Sequence, residues 1–153
     1  MKLISSDFEK EGKIPTKFTC DGENINPNLQ ISEVPENAVS LVLIMDDPDV
    51  PAAVREEKMF DHWVVFNIDP SINEIKENSL PGIRGSNTRG EKVYTGPCPP
   101  PQYEPKEHRY FFKLYALDVT LNLDAGATKA EVEAAMQDHI LAEAKLMGRY
   151  ERG

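Results

Sequence analysis

Histidine, cysteine and tryptophan are scarce in this chain: three, two and one among 153 residues. The two cysteines, Cys20 and Cys98, are too few for a disulfide scaffold, and their spacing matches no zinc site. They read as two small buried apolar side chains. A single long-loop disulfide is the alternative, where the host's cytoplasm permits one. No stretch approaches the roughly 18 consecutive apolar residues of a membrane span. The opening MKLISSDFEKEGKIP has no apolar core of signal-peptide length, so a cytoplasmic location is the expectation. Cations are also in deficit, with 17 Lys plus Arg against 26 Asp plus Glu and a net charge of −9. That balance gives no general electrostatic reason to bind nucleic acid or to anchor stably on an anionic membrane. A P-loop, a GxGxxG turn, an HExxH helix and a GxSxG elbow are all missing, and no motif calls for a cofactor.

The length argues for one domain over residues 1–153, with a folded surface of about 7,800 Å². Proline is in excess, at 12 residues, five of them between Pro97 and Pro105. Prolines cannot donate ladder hydrogen bonds, so GPCPPPQYEP reads as a fixed, extended loop. Three strands are plain: the apolar run Ser40–Asp46, the β-branched and aromatic run His62–Asp69, and Arg109–Asp118. The last is apolar on nearly both alternating faces, which suits a central strand covered on two sides. Shorter strands are expected at Lys2–Ser5, Lys17–Cys20 and Leu29–Ile31. One amphipathic helix is expected near the C-terminus. Thr128 and Glu131 form a capping box, and Val132, Met136, Ile140, Ala144 and Met147 recur on one face until Gly148 stops it. A shorter helix is expected around Ala52–Lys58. Many strands, long loops and peripheral helices point to a mainly β protein, an antiparallel β-sandwich.

His62 and His108 each open a strong apolar strand, where a loop meets the sheet and side chains can face a cleft. His139 reads as structural or as part of the surface. Asp47-Pro48-Asp49-Val50-Pro51 follows the first core strand directly, so its acids sit at the same kind of junction. They could equally serve a turn. Tyr94-Thr-Gly-Pro-Cys-Pro-Pro100 is held still by proline. There Gly96 allows close backbone approach, and its amides can receive an anion; the loop could equally guard a sheet edge. Carboxylates, two imidazoles, Tyr110 and a rigid loop together suit an oxyanion.

In the order DDPDVP, HWVVFNI, GPCPP and HRYFFKLYALD, these segments resemble the phosphatidylethanolamine-binding protein family, and more closely its bacterial and archaeal, Raf-kinase-inhibitor-like branch. The likeness spans nearly the whole chain, with KAEVEAAMQDHILAEAKLMGRY standing for the family's terminal helix. It implies a Greek-key β-sandwich with peripheral helices and an anion pocket at one end. Carried over to this sequence, that pocket comprises Asp47, Pro48, His62, Gly96, Cys98, His108 and Tyr110. The likeness further implies a cis peptide bond at Pro51.

The expected function is non-enzymatic binding of a phosphate-like or carboxylate group. His62 and His108 would donate N–H, Asp47 would orient one imidazole, and the Gly96 loop would supply amides. Modulation of a kinase, another signalling partner or a phosphoprotein is permitted by the likeness, and strand edges leave a homodimer open. The alternative is a hydrolase or transferase using Asp47 with His62 or His108 as general acid/base, although no nucleophile or metal motif is evident.

Overall fold

A computed structural model describes all 153 residues. Two antiparallel sheets carry the fold. The larger has five strands in the order β6-β4-β3-β7-β8. These are β3 (Ser40–Asp47), β4 (Phe60–Ile68), β6 (Ile83–Arg84), β7 (His108–Leu117) and β8 (Ile140–Tyr150). The smaller sheet orders β1 (Lys2–Ile4), β2 (Leu29–Ser32) and β5 (Glu74–Ile75). The surface is 7765 Å², in line with the chain's length.

β3 is buried along its entire length, because both faces of the large sheet are covered. Its side chains alternate between two cores with the period of two that a pleated strand imposes. Leu41, Leu43 and Met45 pack between the sheets with Trp63, Phe112 and Leu29, whereas Val42 and Ile44 pack outward with Phe66, Val132 and Met136. The outer core lies under a single helix, α1 (Lys129–Met136).

That helix corrects the sequence reading. The capping box of Thr128 and Glu131 forms as expected, but the helix ends at Met136. Asp138 then takes φ 70°, and the chain turns into β8. Strand β8 pairs with β7 from His108↔Tyr150 to Leu117↔Ile140. Its inward face reads Ala142, Ala144, Leu146, Gly148 and Tyr150, which packs on or within the inter-sheet core. Gly148 is therefore no helix stop. A Cβ there would lie 2.6 Å from Ile14 Cγ1 and 2.8 Å from Phe8 Cε2. Here Gly148→Ala is expected to destabilise by about 1–3 kcal/mol through overpacking, measured by urea denaturation; a gain in stability would contradict the strand assignment.

Three smaller expectations also change. Residues 52–58 form turns in place of a helix, with the Val54 and Arg55 amides both donating to the Pro51 carbonyl. Residues 17–20 are no strand, since Thr16–Phe18 is a single 3-10 turn. The only cis peptide bond precedes Pro105, so the bond to Pro51 is trans. No helix is long and apolar enough to cross a membrane.

The cysteines are joined, Cys20 to Cys98. The reading of two buried apolar side chains is thereby replaced by the long-loop disulfide, with Cys20 exposed and Cys98 half-buried.

Candidate functional site

At one end of the sandwich the strands deliver side chains to a common place. Asp47 ends β3 on the inward face, following Leu41, Leu43 and Met45 at the pleat's alternation. His108 and Tyr110 open β7 on the same side, both buried. His62 arrives by a different device. In the β3–β4 ladder Met45 faces Trp63 and Asp46 faces Asp61, so His62 is the extra residue of a β-bulge. A bulge re-aims a side chain. Trp63 stays in the core, Asp61 turns outward to Lys129, and the His62 ring packs edge-on to Tyr110 at 5.3 Å.

A cavity of about 280 Å³ opens here. Of the residues singled out from the sequence, Asp47, His62, Gly96, Cys98, His108 and Tyr110 line it, and Pro48 does not. Val50, Val54, Phe60, Pro99 and Pro100 give it an apolar wall. Two cations that sequence reasoning missed, Arg55 and Arg89, also line it. The Arg89 guanidinium sits 6.0 Å from the Phe60 ring centre, and Arg55 Nε is buried without a partner. Each lies in an irregular loop, where no periodicity marks the direction of a side chain. The available signal was charge alone, and it did not single out Arg55 from Lys58 or Arg89 from Lys92.

Asp47 and His108 form a buried pair. Nδ1 of His108 donates to Asp47 Oδ2 at 2.7 Å, and Asp47 Oδ1 accepts the Asp49 amide at 2.7 Å. Burial alone would discharge the His108 ring. The hydrogen bond and charge of Asp47 outweigh it, and the pKa is raised. Asp49 faces elsewhere, bound by Arg109 through Nε at 2.9 Å and Nη2 at 2.8 Å. His62 behaves oppositely. Burial lowers its pKa, against a partial counterweight from the Thr95 carbonyl and nearby acids. Its Nδ1 lies 2.6 Å from that carbonyl, which can only accept, so Nδ1 holds the hydrogen. The neutral ring thus offers the cavity an acceptor at Nε2, and only protonation makes that atom a donor. Tyr110 keeps its proton, because burial and the Asp47 charge both raise its pKa. Its hydroxyl is buried with no partner.

The backbone donors also differ from expectation. Between Gly96 and Pro101 only Gly96 and Cys98 carry an N–H. The Gly96 amide is spent on Asn24 Oδ1 at 2.7 Å, while the Cys98 amide bonds to nothing within the chain. Glycine is required at 96, where a Cβ would collide with the Phe18 carbonyl. No group of three or more His, Cys, Asp or Glu side chains is placed to hold a metal ion.

The two histidines set opposite pH trends on stability. His108, raised above the ordinary 6.5, contributes stability fully below that pH, and loses it as pH climbs through the folded value. His62 is lowered, so its neutral burial costs nothing above 6.5 and costs more as pH falls through 6.5 toward the folded value. Across roughly pH 5–8, where histidine is the side chain that ordinarily changes charge, stability is expected to peak near 6.5. Urea denaturation should show the acid limb flattened in His62→Gln and the alkaline limb flattened in His108→Gln. A monotonic wild-type profile would contradict the assignment.

Fold and cavity define a class: a two-sheet β protein whose end carries a cavity lined by buried polar groups. More specifically, the chain belongs to the phosphatidylethanolamine-binding protein family, whose sequence pattern matches residues 4–151. It is 48% identical over 160 residues to a UPF0098 protein of Methanothermobacter thermautotrophicus, covering 100% of both chains. It is 45% identical over 153 residues to one from Chlamydia trachomatis, covering 99% of each. Among solved structures it superposes on CT736 of Chlamydia trachomatis, described as a candidate phosphatidylethanolamine-binding protein homologue, with TM-score 0.94 and 44% identity over 99% of this chain and 97% of that one. It also superposes on YbcL of Escherichia coli, described as a member of the mammalian family, with TM-score 0.87 and 26% identity over 99% and 98%.

Proposed function

We propose that the cavity binds a small anionic group, a phosphate, a phosphomonoester or a carboxylate, and that the chain works as a binding protein without turnover. The observation that carries this reading is the Tyr110 hydroxyl, buried and unpartnered in the wall of a cavity that also holds two guanidinium groups. A buried donor left unpaired costs roughly 1–3 kcal/mol, which an incoming oxygen would recover. His108 Nε2 is likewise buried without a partner and carries a hydrogen when the ring is charged, and the Cys98 amide is also unspent. His62 Nε2 joins them once an anion draws a proton onto the ring. Arg55, which is ion-paired with Glu57 at 3.3 Å, and Arg89 bring positive charge to the lining, and the apolar wall fits the carbon side of an ester. The family name supports a phosphoester headgroup as one such ligand. A phosphorylated side chain on a kinase or another protein partner presents the same dianion.

Binding without turnover fits the lining. The Thr95 hydroxyl accepts a hydrogen bond from Asn87 Nδ2 at 3.1 Å, and the Cys98 sulfur is engaged in the disulfide. Two or three charge-assisted bonds lead to a Kd of about millimolar to micromolar for a bare phosphomonoester. Calorimetric titration with inorganic phosphate and phosphoethanolamine is expected to show roughly tenfold weaker binding in Tyr110→Phe. Binding should tighten as pH falls, through His62. Equal affinity in wild type and Tyr110→Phe would overturn the site. Ester hydrolysis that disappears in His62→Ala would replace binding with catalysis.

A further inference from the structure

We infer that the Cys20–Cys98 disulfide acts as a redox-sensitive anchor for the unspent Cys98 amide in the cavity wall, so that its oxidation state sets the cavity's affinity for an anion. The inference rests on the anion-binding reading above and adds a regulation to that site.

The loop before Cys98 is well tied to the segment around Cys20. The Tyr94 hydroxyl donates to the Phe18 carbonyl at 2.7 Å, the Gly96 amide to Asn24 Oδ1 at 2.7 Å, and the Cys20 amide to the Pro97 carbonyl at 3.1 Å. Asn24 reaches Gly96 from a left-handed backbone position, φ 59°, that asparagine tolerates better than most residues. Beyond Cys98 the ties stop. From Pro99 to Glu107 the single backbone hydrogen bond is internal, Tyr103 to Pro100 at 3.4 Å, and Glu107 is held by an exposed ion pair with Arg149. The disulfide is therefore the last attachment of the loop to the neighbouring segment, and it falls on the residue whose amide is unspent. Its two ends are unequal. Cys98 lines the cavity, and Cys20 is exposed outside it, where a thiolate can reach the bond.

The chemistry is thiol–disulfide exchange with a dithiol. A dithiol thiolate attacks one sulfur, the protein S–S bond breaks, and a mixed disulfide forms. The second thiol of the reagent then closes its own ring. Two electrons and two protons pass to Cys20 and Cys98, which leave as thiols, and the dithiol leaves as a cyclic disulfide. Cys98 keeps its amide but loses the covalent tie, and its peptide plane is then held only by the hydrogen bond from the Cys20 amide to the Pro97 carbonyl. Cys20 acts through Cys98 and is a positioning residue.

The test is calorimetric titration of inorganic phosphate into four samples: oxidised wild type, wild type reduced with dithiothreitol, Cys20→Ser, and Cys20→Ser with dithiothreitol. Circular dichroism at the assay temperature confirms that each is folded. The expected result is about tenfold weaker binding in the last three, the scale of one charge-assisted hydrogen bond, with Cys20→Ser indifferent to dithiothreitol. The Cys98 amide resonance should shift with phosphate in the oxidised protein and far less in the reduced one. Equal affinity in all four samples overturns the inference and leaves anion binding standing. No phosphate binding by the oxidised protein overturns both. Where loss of the disulfide unfolds the chain, oxidised Asn24→Ala gives the answer, because it frees the same loop at Gly96 and retains the bond. Affinity within about twofold of wild type supports the anchor; a tenfold loss shows that hydrogen bonds aim the amide, and overturns it.

Discussion

Reduction of Cys20–Cys98 is expected to lower the unfolding free energy by about 2–5 kcal/mol, the range found for native disulfides in small domains. The two cysteines are 78 residues apart in sequence. On the chain-entropy account, freeing a loop of that length restores about 4–5 kcal/mol of disorder to the unfolded state. For a domain of this size each kcal/mol moves the thermal midpoint by about 2–4 °C, so a fall of roughly 5–15 °C is expected. Differential scanning calorimetry with and without dithiothreitol reads it directly. A midpoint that does not move would mean that the covalent link restrains nothing in the unfolded chain. The exposed position of Cys20 makes the comparison feasible under native conditions.

The second large effect is expected at Asp47. Its side chain is 4% exposed and that of His108 is 1% exposed, and the two are joined at 2.7 Å. Asp47→Ala leaves a buried imidazole that has lost its acceptor, and also removes the acceptor of the Asp49 amide. Breaking a buried pair on one side costs about 3–5 kcal/mol when the survivor is charged. Asp47→Asn keeps an oxygen for His108 Nδ1 and removes the charge, so it should cost less and should lower the His108 pKa. Urea denaturation near pH 6 is expected to rank wild type, Asn and Ala in falling stability. The alkaline limb assigned to His108 should shift to lower pH in the Asn variant. Equal costs for Asn and Ala would show that the charge of Asp47, more than its hydrogen bonds, holds His108.

Strands β3, β4 and β7 were legible because apolar, β-branched and aromatic residues dominate each, interrupted after His62 in β4 and after Arg109 in β7 only by Asn67 and Lys113, and no helix of ordinary amphipathic form is so nearly apolar all round. β8 was not. Its inward face, Ala142, Ala144, Leu146 and Gly148, is small at all but Leu146 and hardly registers as an apolar alternation, while LAEAKLM is rich in helix formers. Pairing with β7, about 30 residues back in the chain, overrides that local preference. A short gap from Met136 also let one helical pattern run into the strand. In the site, the residues at strand ends could be found, since a polar residue beside an apolar run marks a junction. Their roles were harder to read. Sequence named His62 without its protonation state, because burial and the Thr95 carbonyl are set by a loop 33 residues away. It named Gly96 for its amide, but a side chain from residue 24 claims that atom and passes the role to Cys98. Cysteine spacing carries no information on pairing, so the disulfide could be stated only as an alternative.

The bulge in β4 has an implication for chain length. Without His62, Trp63 would still stand opposite Met45 and Asp61 opposite Asp46, with Phe60 next to the end of β3. The imidazole is thus supernumerary to the ladder. A chain shorter by this one residue could close the same sheet around the same interior, and would lose the ring together with the His62 carbonyl that accepts the Thr95 amide at 3.1 Å. Deletion of a single codon is then the most economical way to separate the scaffold from its chemistry.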